Sequence, residues 1–229
     1  MKVDYPCSDL SNGPSDEDFK QAVSVLEQGG IVAFPTETFY GLAVDPFNEK
    51  ALAALFRLKG RPSEKPFLVL IQDESQLPSL VRLIPSEFRP LMQVFWPGPL
   101  TLVFPALSTL SPALTGADRA GIGIRISPHP VARAFGQVWG RPLTATSANL
   151  SGKPAARTAE EVRRIFGREV SCILDGGQTP GGKSSTVVGL SQGKLQLIRA
   201  GVIAFSSLIE EGSKEKVRLM PEKDNKTMG

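Results

Sequence analysis

At 229 residues, with 41% hydrophobic and 21% charged content, the chain has the composition of an ordinary globular protein, enough for one large α/β core or two small ones. A net charge of +3 permits contact with nucleic acid but lacks the dense basic stripe of a dedicated binder. Two cysteines exclude a disulfide framework or a thiolate zinc site, and the single His129, set between two prolines, excludes most metal and histidine-dependent mechanisms.

Residues 1–14 read as a polar lead-in without an apolar signal region. No run is long enough to span a bilayer, so a cytoplasmic protein with no membrane partner is expected. Ser15 with Asp18 resembles a capping box, followed by Phe19, Ala22, Val23 and Leu26 at helical spacing. Gly29-Gly30 ends that helix and feeds a strand, Ile31–Phe34, which stops at Pro35-Thr36-Glu37-Thr38. A second helix, with Ala51, Leu52, Leu55 and Phe56 on one face, delivers Lys59, Arg61 and Lys65 onto a loop stiffened by Gly60, Pro62 and Pro66. Solvated faces scatter lysines beside glutamates, whereas a stiff loop holding three cations points to an anionic ligand.

The continuous apolar run Phe67–Ile71 predicts a strand covered on both faces, and residues 86–95 a helix. Trp96-Pro97-Gly98-Pro99 is a rigid turn into a strand over Leu100–Phe104. Gly121–Ile126 is a strand ending near Arg125, and Ser127-Pro128-His129-Pro130 opens a helix, with His129 read as structural. Leu143–Thr146 is a short strand breaking into Ser147-Ala148-Asn149. Thr158 with Glu161 is a second capping box, Val170–Leu174 a strand, and Ser185–Leu190 with Leu195–Ile198 a strand pair joined at Gly193. Arg199-Ala200-Gly201 precedes a last short helix. This alternation predicts one α/β domain over 15–211, built on a twisted mixed sheet flanked by helices, with a polar tail over 212–229.

Gly177 to Ser184 matches G-x-x-x-x-G-K-S literally, yet the β-branched run Thr186-Val187-Val188 follows where a phosphate-cradling loop needs a helix, and Pro180 removes a loop amide. A Gly-rich loop carrying Ser184, Ser185 and Thr186 to a pocket is the reading adopted. Ser147 and Asn149 at a strand end can hydrogen-bond a ribose, phosphate or purine edge, although a simple turn would look the same. Arg125 and Arg199 each close an apolar strand, where a cation can also snorkel to water. Cations and hydroxyls gathered at several strand and loop ends make a polyanion pocket the economical reading. No motif supplies a general base or nucleophile, so any enzyme here would work by positioning and charge stabilisation.

In order, the segments 35–42, 59–62 with Lys65-Pro66, 96–101, 123–126, 146–152, 175–177, 185–188 and 199–201 make the chain resemble the YrdC-like family of threonylcarbamoyl-AMP synthases over roughly residues 15–205. The resemblance implies a mixed α/β sheet around a positively charged cavity. It also implies synthesis of L-threonylcarbamoyl-AMP from L-threonine, bicarbonate and ATP with release of pyrophosphate. It places Lys59, Arg61, Ser147, Asn149 and Arg199 around ATP, with Lys59 and Arg61 as the catalytic cations. Thr36, Arg125, Ala145 and Ser185 would hold threonine or its carbamate, with Tyr40 and Lys65 nearby. Magnesium would travel with ATP, on phosphates and water. Downstream proteins would transfer the product's group to tRNA. The chain departs from the family pattern at Phe39, Ser127, Gly189 and Ala200. Two competing functions share the fold: an RNA-binding module holding tRNA or double-stranded RNA by its phosphates, and a carbamoyl-transfer domain.

Overall fold

The computed structural model describes residues 13–60, 66–116 and 121–218. Its helices are α1 (Asp16–Glu27), α2 (Glu49–Lys59), α3 (Arg89–Phe95), α4 (Pro112–Thr115), α5 (Pro130–Trp139), α6 (Ala159–Phe166) and α7 (Phe205–Arg218). Its strands are β1 (Val32–Pro35), β2 (Tyr40–Ala43), β3 (Val69–Leu70), β4 (Leu100–Phe104), β5 (Ile122–Arg125), β6 (Leu143–Thr144), β7 (Thr146–Ser147), β8 (Cys172–Ile173), β9 (Thr186–Ser191) and β10 (Lys194–Arg199). The strands form two mixed ladders, β7-β2-β1-β8 and β10-β9-β4-β5-β3-β6.

The two ladders meet where the chain passes from β6 to β7. There the Thr144 amide donates to the Val44 carbonyl at 3.2 Å, and the Ala145 amide to the Leu68 carbonyl at 2.7 Å. This junction brings ends of both ladders to one place.

Strand geometry sends successive side chains to opposite faces, and β1 uses both. Ile31 and Ala33 enter the larger core with Tyr40, Leu42, Leu52, Leu55, Val69 and Ile124. Val32 and Phe34 enter a second core with Phe19, Leu26, Val131 and Phe135, beneath α1 and α5. Phe34 and Phe135 meet edge to face, with centroids 5.6 Å apart. A strand buried on both faces reads as the unbroken apolar run seen in the sequence.

The helix starts follow their caps. At α1, Ser15 and Asp18 form the full reciprocal capping box. At α6, the Thr158 hydroxyl accepts the Glu161 amide at 3.1 Å, but the Glu161 carboxylate turns to the Arg157 amide at 2.6 Å instead of closing the box. Of the strand pair β1–β2 the sequence marks only the first strand, because Tyr40–Ala43 has no run long enough to stand out between two turns. The last helix, expected to be short and to give way to a loose segment at 212, continues to Arg218. Glu, Lys and Arg are strong helix formers, so their polarity did not mark an end.

Candidate functional site

The four residues between β1 and β2 close a tight hairpin. The Thr36 amide donates to the Phe39 carbonyl at 3.1 Å, and the Thr36 hydroxyl donates to the same oxygen at 2.7 Å. The Thr36 and Thr38 hydroxyls lie 3.1 Å apart. Beyond the hairpin, Tyr40 reaches the Gly-rich segment after β8. Its hydroxyl donates to the Gly177 carbonyl at 2.8 Å, faces Asp175 at 3.3 Å, and accepts the Gly176 amide at 3.3 Å. Burial, with the Asp175 carboxylate as a second cause, raises the phenol above its ordinary range and keeps it a neutral donor.

These hairpin residues form one wall of a cavity of about 130 Å3. Thr36, Tyr40, Arg125, Ala145, Ser147, Ser185 and Arg199 line it together, with Thr38, Phe39, Gly41, Leu68, Thr146 and Ser184. Seven of the residues that the family resemblance assigns to a ligand therefore share one space, although 163 positions separate the first from the last. The lining combines hydroxyls with two guanidinium groups, those of Arg125 and Arg199.

Arg125 ends β5, where Leu70 of β3 is its parallel partner and its carbonyl accepts the Ile71 amide at 3.1 Å. Only 6% exposed, it pairs with Glu37, itself 7% exposed. Arg199 ends β10 and folds over the start of β9, its Nη2 donating to the Ser185 carbonyl at 2.8 Å and hydroxyl at 3.0 Å. The Ser185 hydroxyl also meets that of Thr101 at 2.9 Å. Gly201 makes this fold-back possible: a Cβ there would lie 2.3 Å from the Ser184 carbonyl oxygen.

Lys59 and Asn149 stand beside the cavity wall. Lys59, in the last turn of α2 and 2% exposed, donates from Nζ to the Ser147 carbonyl, to the Asn149 carbonyl at 2.8 Å and to the Asn149 side-chain oxygen at 3.0 Å. The Ser147 hydroxyl donates to that same side-chain oxygen at 2.7 Å. Arg61 and Lys65 lie outside the described residues.

Gly182-Lys183-Ser184 leads into β9, not into a helix, so no helix N-terminus stands behind the apparent phosphate loop. Ser184 and Ser185 reach the cavity as expected, but Thr186 does not: its hydroxyl donates to the Ile203 carbonyl at 2.7 Å and ties β9 to the segment before α7. His129 caps α5, its Nδ1 accepting the Val131 amide at 3.2 Å, and burial lowers its pKa to about 4. Sequence reasoning assigned no role to Glu37 or Ser127. Glu37 had a signal, a lone carboxylate inside an otherwise uncharged hydroxyl turn.

Residues 24–201 match the profile of the Sua5/YciO/YrdC family, described as telomere recombination. The chain belongs to this family. Among relatives, it is 39% identical over 187 residues to a threonylcarbamoyl-AMP synthase of Pyrococcus abyssi, covering 82% of this chain and 55% of that protein. It is 40% identical over 157 residues to a threonylcarbamoyl-AMP synthase of Halorhodospira halophila, covering 69% of this chain and 82% of that protein. The chain thus spans about half the length of the longer relative. The crystal structure of P. abyssi Sua5 complexed with L-threonine superposes with a TM-score of 0.80 at 36% identity, over 84% of this chain and 56% of that one. The mixed α/β architecture flanked by helices is that of the family. No helix among the described residues is long and apolar enough to cross a membrane.

Proposed function

We infer that the chain makes L-threonylcarbamoyl-AMP from L-threonine, bicarbonate and ATP, releasing pyrophosphate. The observation that carries this reading is the single cavity in which Thr36, Tyr40, Arg125, Ala145 and Ser185 meet, in a chain similar to a relative solved with L-threonine. Arg125 offers a planar fork to the threonine carboxylate, and the hydroxyls of Thr36 and Ser185 serve its remaining polar groups. Lys65 would add a cation to this ligand.

Carboxylation of the threonine amine by bicarbonate, with loss of water, gives a carbamate. A carbamate oxygen then attacks the ATP α-phosphorus, the bond to the β-phosphate oxygen breaks, and pyrophosphate leaves. Lys59, Arg61 and Arg199 offset the charge that builds on the α-phosphate and leaving group, with Ser147 and Asn149 holding the nucleotide. Among the described residues the cavity lining offers hydroxyls and guanidinium groups and no carboxylate, a donor set that fits magnesium held by the phosphates and water instead of by protein. The product would pass to proteins that transfer its threonylcarbamoyl group to tRNA.

Pyrophosphate release from ATP, measured with and without L-threonine and bicarbonate and with serine as control, tests the reading. Release requiring both co-substrates is expected, and Arg61→Ala is expected to slow it at least about tenfold. Release indifferent to threonine, or none, would reject the reading and put RNA binding first.

A further inference from the structure

Glu37 does not line the cavity, yet both its carboxylate oxygens are engaged just behind it. One pairs with Arg125 Nη1, and the other accepts the Ser127 hydroxyl at 2.5 Å. Ser127 Oγ in turn accepts the His129 amide at 3.3 Å. The Ser127 hydroxyl thus accepts from the His129 amide and gives its one proton to the Glu37 carboxylate, which can only accept. A short chain of contacts therefore runs from the capped start of α5, through Ser127 and Glu37, to a guanidinium in the cavity wall.

We propose that Glu37 and Ser127 are positioning residues that lock the Arg125 guanidinium in one orientation, so that its remaining N–H groups face the carboxylate of an amino-acid ligand as a fixed fork. The proposal rests on the reading of the cavity as the threonine site. Backbone pairing with β3 fixes the Arg125 Cα but leaves its long side chain to rotate. Glu37 holds one Nη, and Ser127 prevents Glu37 from turning away.

A buried ion pair is weak grounds for a stabilising role, since an apolar pair of similar volume often does as well. Placing such a pair against a cavity wall has a different consequence. A preorganised fork loses less rotational freedom when it binds a carboxylate.

The test uses the full chain with Glu37→Gln, Glu37→Asp and Ser127→Ala. L-threonine binding is followed by calorimetry, and rotation of the Arg125 guanidinium by nitrogen-15 NMR, its signal assigned by its loss in Arg125→Lys. Glu37→Gln is expected to weaken threonine binding about tenfold or more, to make guanidinium rotation fast, and to leave the KM for ATP within about twofold. Ser127→Ala, which keeps the ion pair, is expected to weaken binding about threefold, and Glu37→Asp to fall between wild type and Glu37→Gln. Threonine affinity within about twofold of wild type in Glu37→Gln, or rotation as slow as wild type, would overturn the proposal. Should Glu37→Gln not fold, unchanged affinity and rotation in Ser127→Ala would overturn it instead. A wild-type chain that binds no threonine would reject the functional reading and the ligand named here, while guanidinium rotation slow in the wild type and fast in Glu37→Gln would still support the positioning role.

Discussion

The ammonium of Lys59 lies 2.8 Å from the Asn149 carbonyl and 3.0 Å from the Asn149 side-chain oxygen, so the end of α2 is tied directly to the loop after β7. Replacing Lys59 with Met keeps the apolar stem and removes all three donors. The Ser147 and Asn149 oxygens then lose a charged partner in a nearly closed site. Unfolding in denaturant is expected to show a loss of about 1–3 kcal/mol, accompanied by a fall in pyrophosphate release. Stability equal to wild type would mean that the ammonium does not hold this loop.

Tyr40 ties the β1–β2 hairpin to the Gly-rich segment through its hydroxyl, 2.8 Å from the Gly177 carbonyl. Tyr40→Phe removes that bond while preserving the buried ring. A stability loss of about 1 kcal/mol is expected, with faster amide exchange concentrated in residues 176–181. Exchange unchanged in that segment would show that other contacts, such as the Gly181 amide on the Thr38 carbonyl at 2.7 Å, suffice to hold it.

His129 gives a pH dependence whose sign is fixed by burial. Its native pKa of about 4 lies below the ordinary value of 6.5, so the unfolded chain takes up a proton first as pH falls. Stability is therefore whole above about pH 6.5 and declines down to about pH 4, by at most about 3 kcal/mol. His129→Asn keeps an N-cap acceptor and removes the titration, so its stability should be flatter across that window. An identical slope in the variant would assign the acid sensitivity to carboxylates elsewhere.

Lys183 separates the literal phosphate-loop motif from the observed architecture. Because β9 follows it, Lys183→Ala is expected to change nucleotide affinity by less than about threefold. Near-complete loss of ATP binding would restore the phosphate-loop reading against the strand seen here.

Local signals marked most elements. The Ser15–Asp18 cap, the end of α2 at Gly60 with φ +54°, and the β-branched start of β9 are each decided within a few residues. β2 is not legible there, because four residues between turns carry too little periodicity. The run of α7 to Arg218 is not legible either, because Glu, Lys and Arg suit a helix and a solvated tail alike. Arg125, Arg199 and Ser185 were legible as residues at strand ends, but nothing in the linear order says that those ends coincide.

What the sequence determined by itself was the chemistry available: hydroxyls and cations at strand and loop ends, one histidine, and no thiolate or histidine cluster for a metal. It also determined the family resemblance, carried by eight short segments in order. Only the tertiary structure decided which of those residues share a space, because strand pairing joins positions far apart in the chain. β4 pairs with β9 on one side and with β5 on the other, which brings Ser185 and Arg125 to the same cavity. It alone disclosed Glu37 behind Arg125 and Ser127 behind Glu37. The physical reason is that a buried charge must find its partner in three dimensions, and that partner is chosen by packing and distance, not by spacing along the chain.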